Sequence, residues 1–260
     1  MSITQFLLLV VAGVGAGLTG SIAGLASLVS YPALLAFGLT PLAANVTNTV
    51  GLLTNGIGSA AASRTELRGH GRRVMRLAVW VGLGGAAGAG LLLWGNSATF
   101  RQVVPWLIAL GAGLLLLRDP LRNWLDRRRM VESVREATRT PSWPRLVPVA
   151  LVGIYGGYFG AGAGIIMLAL LSLETLEPLP VTNAVKNLTM TAANLVAAVI
   201  FAFVSPVDWP AAAAVGLGVL VGSWCGPAVV RVLPDRPLRV AIAVAGFALA
   251  GALFVGWSGS

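Results

Sequence analysis

Residues 160–194 of the chain read GAGAGIIMLALLSLETLEPLPVTNAVKNLTMTAAN. The stretch begins with alternate glycines inside an apolar segment. It ends in a second apolar segment that holds the only lysine of the protein, Lys186. A cation at membrane depth is costly and usually functional. A helix interrupted by glycines can point free backbone N–H groups at an anion. The stretch therefore predicts an anion site made from a broken helix and a cation.

The composition places this stretch in a membrane. Hydrophobic residues make up 57% of the 260 positions, charged residues make up 10%, and the mean hydropathy is +0.84. A soluble domain carries about 25% charged residues. Several apolar segments approach or exceed the roughly 20 residues that a membrane-spanning helix needs. We predict an all-α polytopic membrane protein in a lipid bilayer, with the bacterial plasma membrane as the expected compartment.

The arginines predict the orientation of the chain. Five lie in 64–76, eight in 118–145 and three in 231–239, in or beside the breaks between apolar segments. This pattern is typical of cytoplasmic loops, so the net charge of +9 does not predict nucleic-acid binding, which needs a coherent soluble basic face. If all three regions are cytoplasmic, the segment 146–173 must begin and end on that side of the membrane.

The second half of the chain repeats the pattern of the first. Gly20 and Gly24 correspond to Gly160 and Gly164 at an offset of 140, and a proline with two asparagines recurs at an offset of 139: Pro41, Asn48 and Asn55 correspond to Pro180, Asn187 and Asn194. Fixed offsets of this kind indicate a tandem repeat. With the arginines in the cytoplasm, the break at 64–76 and its counterpart at 205–208 lie on opposite sides, which predicts an inverted repeat.

The predicted domains follow from this repeat. Residues 1–117 form the first transmembrane repeat, 118–145 a basic cytoplasmic linker and 146–260 the second transmembrane repeat. Each repeat is expected to start with a glycine-broken helix pair, over 5–37 and 146–173, followed by three transmembrane helices. The linker is predicted to lie on the lipid headgroups, with docking of a partner protein as the alternative.

The polar residues within the apolar segments are candidates for a substrate site. Asn183, Asn187 and Asn194 lie on one face of a helix, with Lys186 beside them. The alternatives are that the amides only hold helices together and that Lys186 extends to the membrane surface. Glycines such as Gly84 are expected to pack helices, whereas the alternate spacing of Gly160, Gly162 and Gly164 favours unwound backbone. The predicted substrate-binding set is Lys186, Asn183, Asn187, Asn194, Asn48, Asn55, Gly20, Gly24, Gly160, Gly162 and Gly164.

These motifs resemble the TauE/SafE sulfite exporter family of multi-pass permeases. The resemblance rests on GAGAGIIML in the second half, PALLAFGLTPLAANVTNT in the first half, and Val207-Asp208-Trp209. It implies transport of a small sulfur-containing anion such as sulfite or an organosulfonate. A non-transporting membrane scaffold that docks partners through 118–145 is the alternative. The sequence predicts no enzymatic activity, catalytic residue, metal site or cofactor, because no acid–base pair or metal-ligand spacing is present.

Overall fold

The computed structural model describes residues 1–132, 146–174, 177–229 and 235–258, and every regular element in these ranges is a helix. Five helices in the described ranges are long and apolar enough to cross a membrane, which confirms the predicted polytopic helical class. Large apolar side chains such as Trp94 and Phe203, 90% and 85% exposed, cover the outside. The helices are α1 Ile3–Ala23, α2 Ser27–Ala36, α3 Pro41–Gly51, α4 Leu53–Ala62, α5 Gly71–Trp94, α6 Ser97–Glu132, α7 Leu146–Tyr158, α8 Ala163–Glu174, α9 Leu179–Val204, α10 Trp209–Val229 and α11 Asp235–Ser258.

The two glycine-rich segments each form a pair of helices with a sharp turn between them. The turns contain glycines in the left-handed region, Gly24 with φ 73°, Gly160 with φ 78° and Gly162 with φ 80°. An L-residue with a side chain rarely adopts such values, whereas glycine adopts them without steric cost. Gly24 and Gly160 are 136 positions apart, so the turns do not follow the offset of 140 expected for Gly20 and Gly160. Gly20 instead lies inside α1, because α1 continues about one helical turn beyond the position that the repeat offset gives for the turn.

The pair α7–α8 begins and ends at the same end of α5. A Cβ atom built on Gly153 would lie 3.0 Å from Cα of Val81, and one on Gly157 would lie 2.8 Å from Cα of Gly85. Residue numbers in α7 and in α5 increase in the same direction from one contact to the next, so α7 runs parallel to α5. After α8 has returned, Glu177 contacts His70 and Arg73 at the start of α5.

The pair α1–α2 bears the same relation to α10. A Cβ atom built on Gly218 would lie 2.8 Å from Cα of Gly13, and one on Gly222 would lie 2.9 Å from the backbone nitrogen of Leu18, so α1 runs parallel to α10. The Thr47 hydroxyl of the following helix α3 accepts a hydrogen bond from the Asp208 N–H, one residue before α10 (3.0 Å). Thus α1–α2 also returns to the end from which it came.

The starts of α5 and α10 lie at opposite ends of the molecule. Helix α4 runs parallel to α10, because Thr54 contacts the Gly216 carbonyl (2.7 Å) and a Cβ atom on Gly58 would meet the Leu220 carbonyl at 2.8 Å. An eight-residue connection, 63–70, joins the end of α4 to the start of α5. The two broken helix pairs therefore enter the molecule from opposite ends and meet in its middle.

Helices α3 and α4 follow each other along the chain with an interruption at Leu52. The Thr54 hydroxyl lies 3.1 Å from the carbonyl oxygen of Gly51, three residues earlier in the chain, and 2.7 Å from the carbonyl oxygen of Gly216 in α10. A hydroxyl that binds backbone carbonyls in this way commonly bends a helix. The interruption separates Asn48 from Asn55, so these two amides have different neighbours.

The predicted linker 118–145 starts as a helix. Helix α6 continues past residue 117 to Glu132 and contains Pro105 and Pro120. Residues 133–145 of the linker, and 231–234 of the basic region 231–239, lie outside the described residues.

Candidate substrate-binding site

A polar cavity lies where the turns of the two broken helix pairs meet α4 and α9. Counting its open side, it holds about 590 Å³ of empty space. The part of the cavity that a water-sized sphere can enter exceeds the space that a single water molecule needs, so the cavity has room for a small ion. Its lining residues are Gly20, Gly24, Ala26, Ser27, Thr49, Leu52, Asn55, Gly156, Phe159, Gly160, Gly164, Lys186, Asn187, Met190, Thr191 and Asn194.

The structure brings most of the predicted site residues to this cavity. Those that line it are Gly20, Gly24, Gly160, Gly164, Asn55, Lys186, Asn187 and Asn194. Asn48, Asn183 and Gly162 do not. Residues far apart in the sequence thus line the same cavity, for example Gly20 and Lys186.

Among the described lining residues, Lys186 is the one that has a charged side chain. It lies in the first third of α9 and is 1% exposed. None of the described lining residues carries a carboxylate. The positive charge of Lys186 is therefore the dominant fixed charge in the wall of the cavity.

Two helices begin at the cavity. Ser27 is the first residue of α2 and Gly164 the second residue of α8, and both line the cavity. Within the described part of the chain, neither backbone N–H donates a hydrogen bond. The first N–H groups of any helix lack partners inside that helix, and its dipole makes this end positive. Two positive helix ends therefore face the same space as Lys186.

Asn183 and Asn187 hold the end of α1 against α9. Both Nδ2 groups donate to the carbonyl of Ser21, at 3.0 Å and 2.9 Å. Ser21 lies in the last turn of α1, where carbonyls have no partner inside the helix. Asn45 does the same for α7, because its Nδ2 donates to the Tyr158 carbonyl at 2.9 Å. These amides therefore satisfy the ends of the broken helices, and of the three only Asn187 also reaches the cavity.

Asn48 orders the start of α2 from behind the cavity wall. Its Nδ2 donates to Ser27 Oγ at 3.2 Å, and its Oδ1 accepts from Ser30 Oγ at 2.5 Å. Because Ser27 Oγ is an acceptor here, its own hydrogen remains available to the cavity. Ser27 was not among the site residues predicted from the sequence, and the signal that could have found it is its position three residues after Gly24.

Asn55 and Asn194 line the cavity from the contacting helices α4 and α9. Asn55 Oδ1 is buried and makes no hydrogen bond within the described part of the chain. Asn194 likewise forms no side-chain hydrogen bond there. Their neighbours Thr49 and Thr191 donate to the carbonyls of Asn45 (3.0 Å) and Asn187 (2.9 Å), so both threonine hydroxyls turn toward their own helices.

The threonines and the apolar side of the cavity were not predicted from the sequence. Thr191 could have been found, because it follows Asn187 by four positions and so shares its helix face. Phe159 and Met190 complete the wall on the apolar side. Apolar residues in an apolar segment give no signal of this kind.

Gly162 faces away from the cavity. A Cβ atom at this position would lie 3.2 Å from Leu114 Cδ1 and 3.3 Å from Cα of Gly111, both in α6. Gly84, which was expected to pack helices, does so, as do Gly85 and Gly88 of the same helix. A Cβ atom would lie within 3 Å of backbone at Gly84, Gly85 and Gly88, but 3.5 Å from its nearest neighbour at Gly82.

Comparison with known proteins gives one family and several relatives. Residues 9–253 match the model of the family described as Sulfite exporter TauE/SafE. The chain is 28% identical over 239 residues to a "Probable membrane transporter protein" of Haemophilus influenzae, covering 90% of this chain and 89% of that protein. It is 30% identical over 249 residues to the "Probable membrane transporter protein ORF9" of Sinorhizobium sp, covering 93% and 89%.

A third relative agrees with these two. The "Probable membrane transporter protein YfcA" of Escherichia coli K12 is 30% identical over 218 residues, covering 81% of this chain and 74% of that protein. No solved structure is significantly similar to the chain.

Proposed function

Because the chain belongs to the sulfite exporter TauE/SafE family and is a multi-pass membrane transporter, we propose that it carries a small sulfur-containing anion, such as sulfite or an organosulfonate, by secondary transport. The observation that carries the proposal is the convergence of Lys186 with the starts of α2 and α8 on one cavity. The function needs no catalytic residue and no cofactor.

The charges around the cavity favour an anion. Lys186 contributes a full positive charge, and the N–H groups of Ser27 and Gly164 lie at the positive ends of their helices. Helix N-termini bind anions because the N–H groups and the dipole act together. A site for a cation would instead use oxygen ligands, with carboxylates as the charged ones, and the described lining residues include no carboxylate.

We assign the predicted site residues to two roles. Lys186, Asn194 and Asn55 would contact the anion, together with Asn187 and with backbone at four glycines of the cavity wall, Gly20, Gly24, Gly160 and Gly164. Asn48 and Asn183 would hold the starts and ends of the broken helices in place. Gly162 would fix the packing of the second turn against α6.

The proposed domains are two inverted repeats, 1–117 and 146–260, joined by the basic linker 118–145. The entry of the broken helix pairs from opposite ends supports this arrangement, as do their matching contacts with α10 and α5. The positive-inside rule would place 64–76 in the cytoplasm, and with it Glu177 and both ends of α7–α8. The anion would then bind between the two repeats, near the middle of the membrane.

Flux measurements test the proposal. The full-length protein would be reconstituted in liposomes loaded with sulfite or with ethanesulfonate, and efflux would be compared with that from protein-free liposomes. We expect saturable efflux of at least one of the two anions, and much lower efflux with Lys186→Gln. The matched control is Gly90→Ala, a helix position where an added Cβ atom meets nothing within 4 Å. Absence of flux for both anions and for other small organic anions would favour the scaffold alternative.

A further inference from the structure

One cluster of charged side chains joins the two halves of the chain at one end of the molecule. His70 and Arg73 lie at the start of α5 in the first half, and Glu177 lies just before α9 in the second half. His70 Nε2 is 3.2 Å from Glu177 Oε1, and Arg73 Nη1 donates to Glu177 Oε2. The three side chains are 24%, 20% and 29% exposed, so the cluster is half-buried.

The cluster lies beside the elements that lead from this end to the cavity. Helix α8 runs from Gly164, in the cavity wall, to the connection that holds Glu177. Helix α9 runs from that connection back to Lys186. On α9 the fully buried Thr182 lies one turn before Lys186, and its hydroxyl points back toward the Pro178 carbonyl (3.4 Å). Thr182 and Lys186, both buried, therefore lie on one face of α9 between Glu177 and the cavity.

The opposite end of the molecule is joined by different chemistry. There the second half contacts the first through the Asp208 N–H and Thr47 Oγ1, and Asp208 uses its own carboxylate to accept from the Ala211 N–H at 3.0 Å. The described contact at that end is therefore a neutral hydrogen bond. Only the Glu177 end, in the described part of the chain, has an ion pair between the halves.

We propose that Glu177, bound by His70 and Arg73, is a gate between the halves that closes the cavity on the side of the α4–α5 connection. The gate rests on the proposed transport function, since a transporter must open its site to each side in turn. Separation of Glu177 from His70 and Arg73 lets the starts of α5 and α9 move apart and opens a path along α9 to Lys186. In this conformation the ion pair joins the start of α5 to the residue two positions before α9.

Cysteine accessibility tests the gate without a transported substrate. Thr191 lines the cavity, so Thr191→Cys in a Cys225→Ser background reports access to it. A charged, membrane-impermeant thiol reagent is added to inside-out and right-side-out vesicles. A separate Arg68→Cys variant identifies the side of the gate, because Arg68 is exposed on the α4–α5 connection.

Glu177→Gln should raise the labelling rate of Thr191→Cys from the gate side by about fivefold, the population shift expected when a pair of this exposure is lost. The exchange Arg73→Glu with Glu177→Arg should return the rate toward that of the parent. The control Glu66→Gln removes an acid of the same connection that bonds to the adjacent Thr65 (2.8 Å) and should not change the rate. If Glu177→Gln does not insert, Arg73→Gln takes its place.

An unchanged rate in both gate variants would overturn the proposal. An equal rise in Glu66→Gln, or an equal rise from both sides of the membrane, would also overturn it, since either result means general loosening. The labelling result is independent of the transported anion. Altered labelling without any anion flux would therefore contradict the proposed transport function but support the gate. Normal anion flux with unchanged labelling would support the transport function but contradict the gate.

Discussion

Gly24 and Gly164 contact each other backbone to backbone at the centre of the molecule. A Cβ atom built on either glycine would lie 2.5 Å from Cα of the other. Gly24 ends α1 and Gly164 lies in the first turn of α8, so this contact joins the turn of one broken helix pair to the start of the second helix of the other pair. It also holds the two helix N-termini of the cavity at a fixed separation.

Gly164→Ala should therefore destabilise the protein. The methyl group would meet backbone atoms, which cannot move aside as a side chain can, and overpacking of a core costs about 1–3 kcal/mol. Gly90→Ala is the matched control, since it changes a helical glycine with open space around it and should stabilise its helix by up to about 1 kcal/mol. Thermal unfolding of the protein in detergent measures both. Equal melting temperatures for Gly164→Ala and the parent would contradict the close contact.

Gly162→Leu should act on stability and not specifically on the transported anion. The new side chain would meet Leu114 and Gly111 of α6, and the φ of 80° is unfavourable for leucine. We expect a lower melting temperature and less inserted protein. Anion affinity of the fraction that remains folded should be close to that of the parent. A folded variant with normal melting temperature and no transport would instead place Gly162 in the anion path.

Patterns in the sequence predicted the class of fold and much of the cavity wall. Hydropathy sets the helices, because the bilayer requires about 20 apolar residues per span. Lys186 and Asn194 could be found because polar groups in apolar segments are conspicuous. The pairing of Gly20 with Gly160 did not describe the turns, since a repeat offset does not detect the additional turn at the end of α1. Nor did the spacing of Asn48 and Asn55 reveal the interruption at Leu52, which depends on a contact with α10.

Asn183 and Asn187 should be partly redundant. Both donate to the Ser21 carbonyl, so one amide can still satisfy this carbonyl when the other is removed. Interhelical hydrogen bonds in membranes contribute about 0.6 kcal/mol on average, and each single change to alanine should cost about that much. The double variant should cost more than the sum, because a buried carbonyl left without a partner costs about 1–3 kcal/mol. Strictly additive shifts in melting temperature would show that the carbonyl finds another donor.

Lys186→Gln should keep the fold and weaken anion binding at least tenfold. A lysine within a membrane helix costs up to about 2.5–3.5 kcal/mol on insertion scales, so the empty protein should be as stable as the parent or more stable after the change. Glutamine can donate hydrogen bonds to an anion but contributes no charge. Lys186→Arg keeps the charge on a longer, planar group and should restore only part of the affinity. Thr189→Val is the matched control, because Thr189 is fully buried on the same helix and lies outside the cavity wall. Titration of the purified variants with sulfite and ethanesulfonate, at matched amounts of folded protein, measures the affinities. If Lys186→Gln and Thr189→Val bind the anion equally well, the charge of Lys186 does not hold the anion. Binding would then depend on the N–H groups of Ser27 and Gly164 with the amides of Asn55 and Asn194.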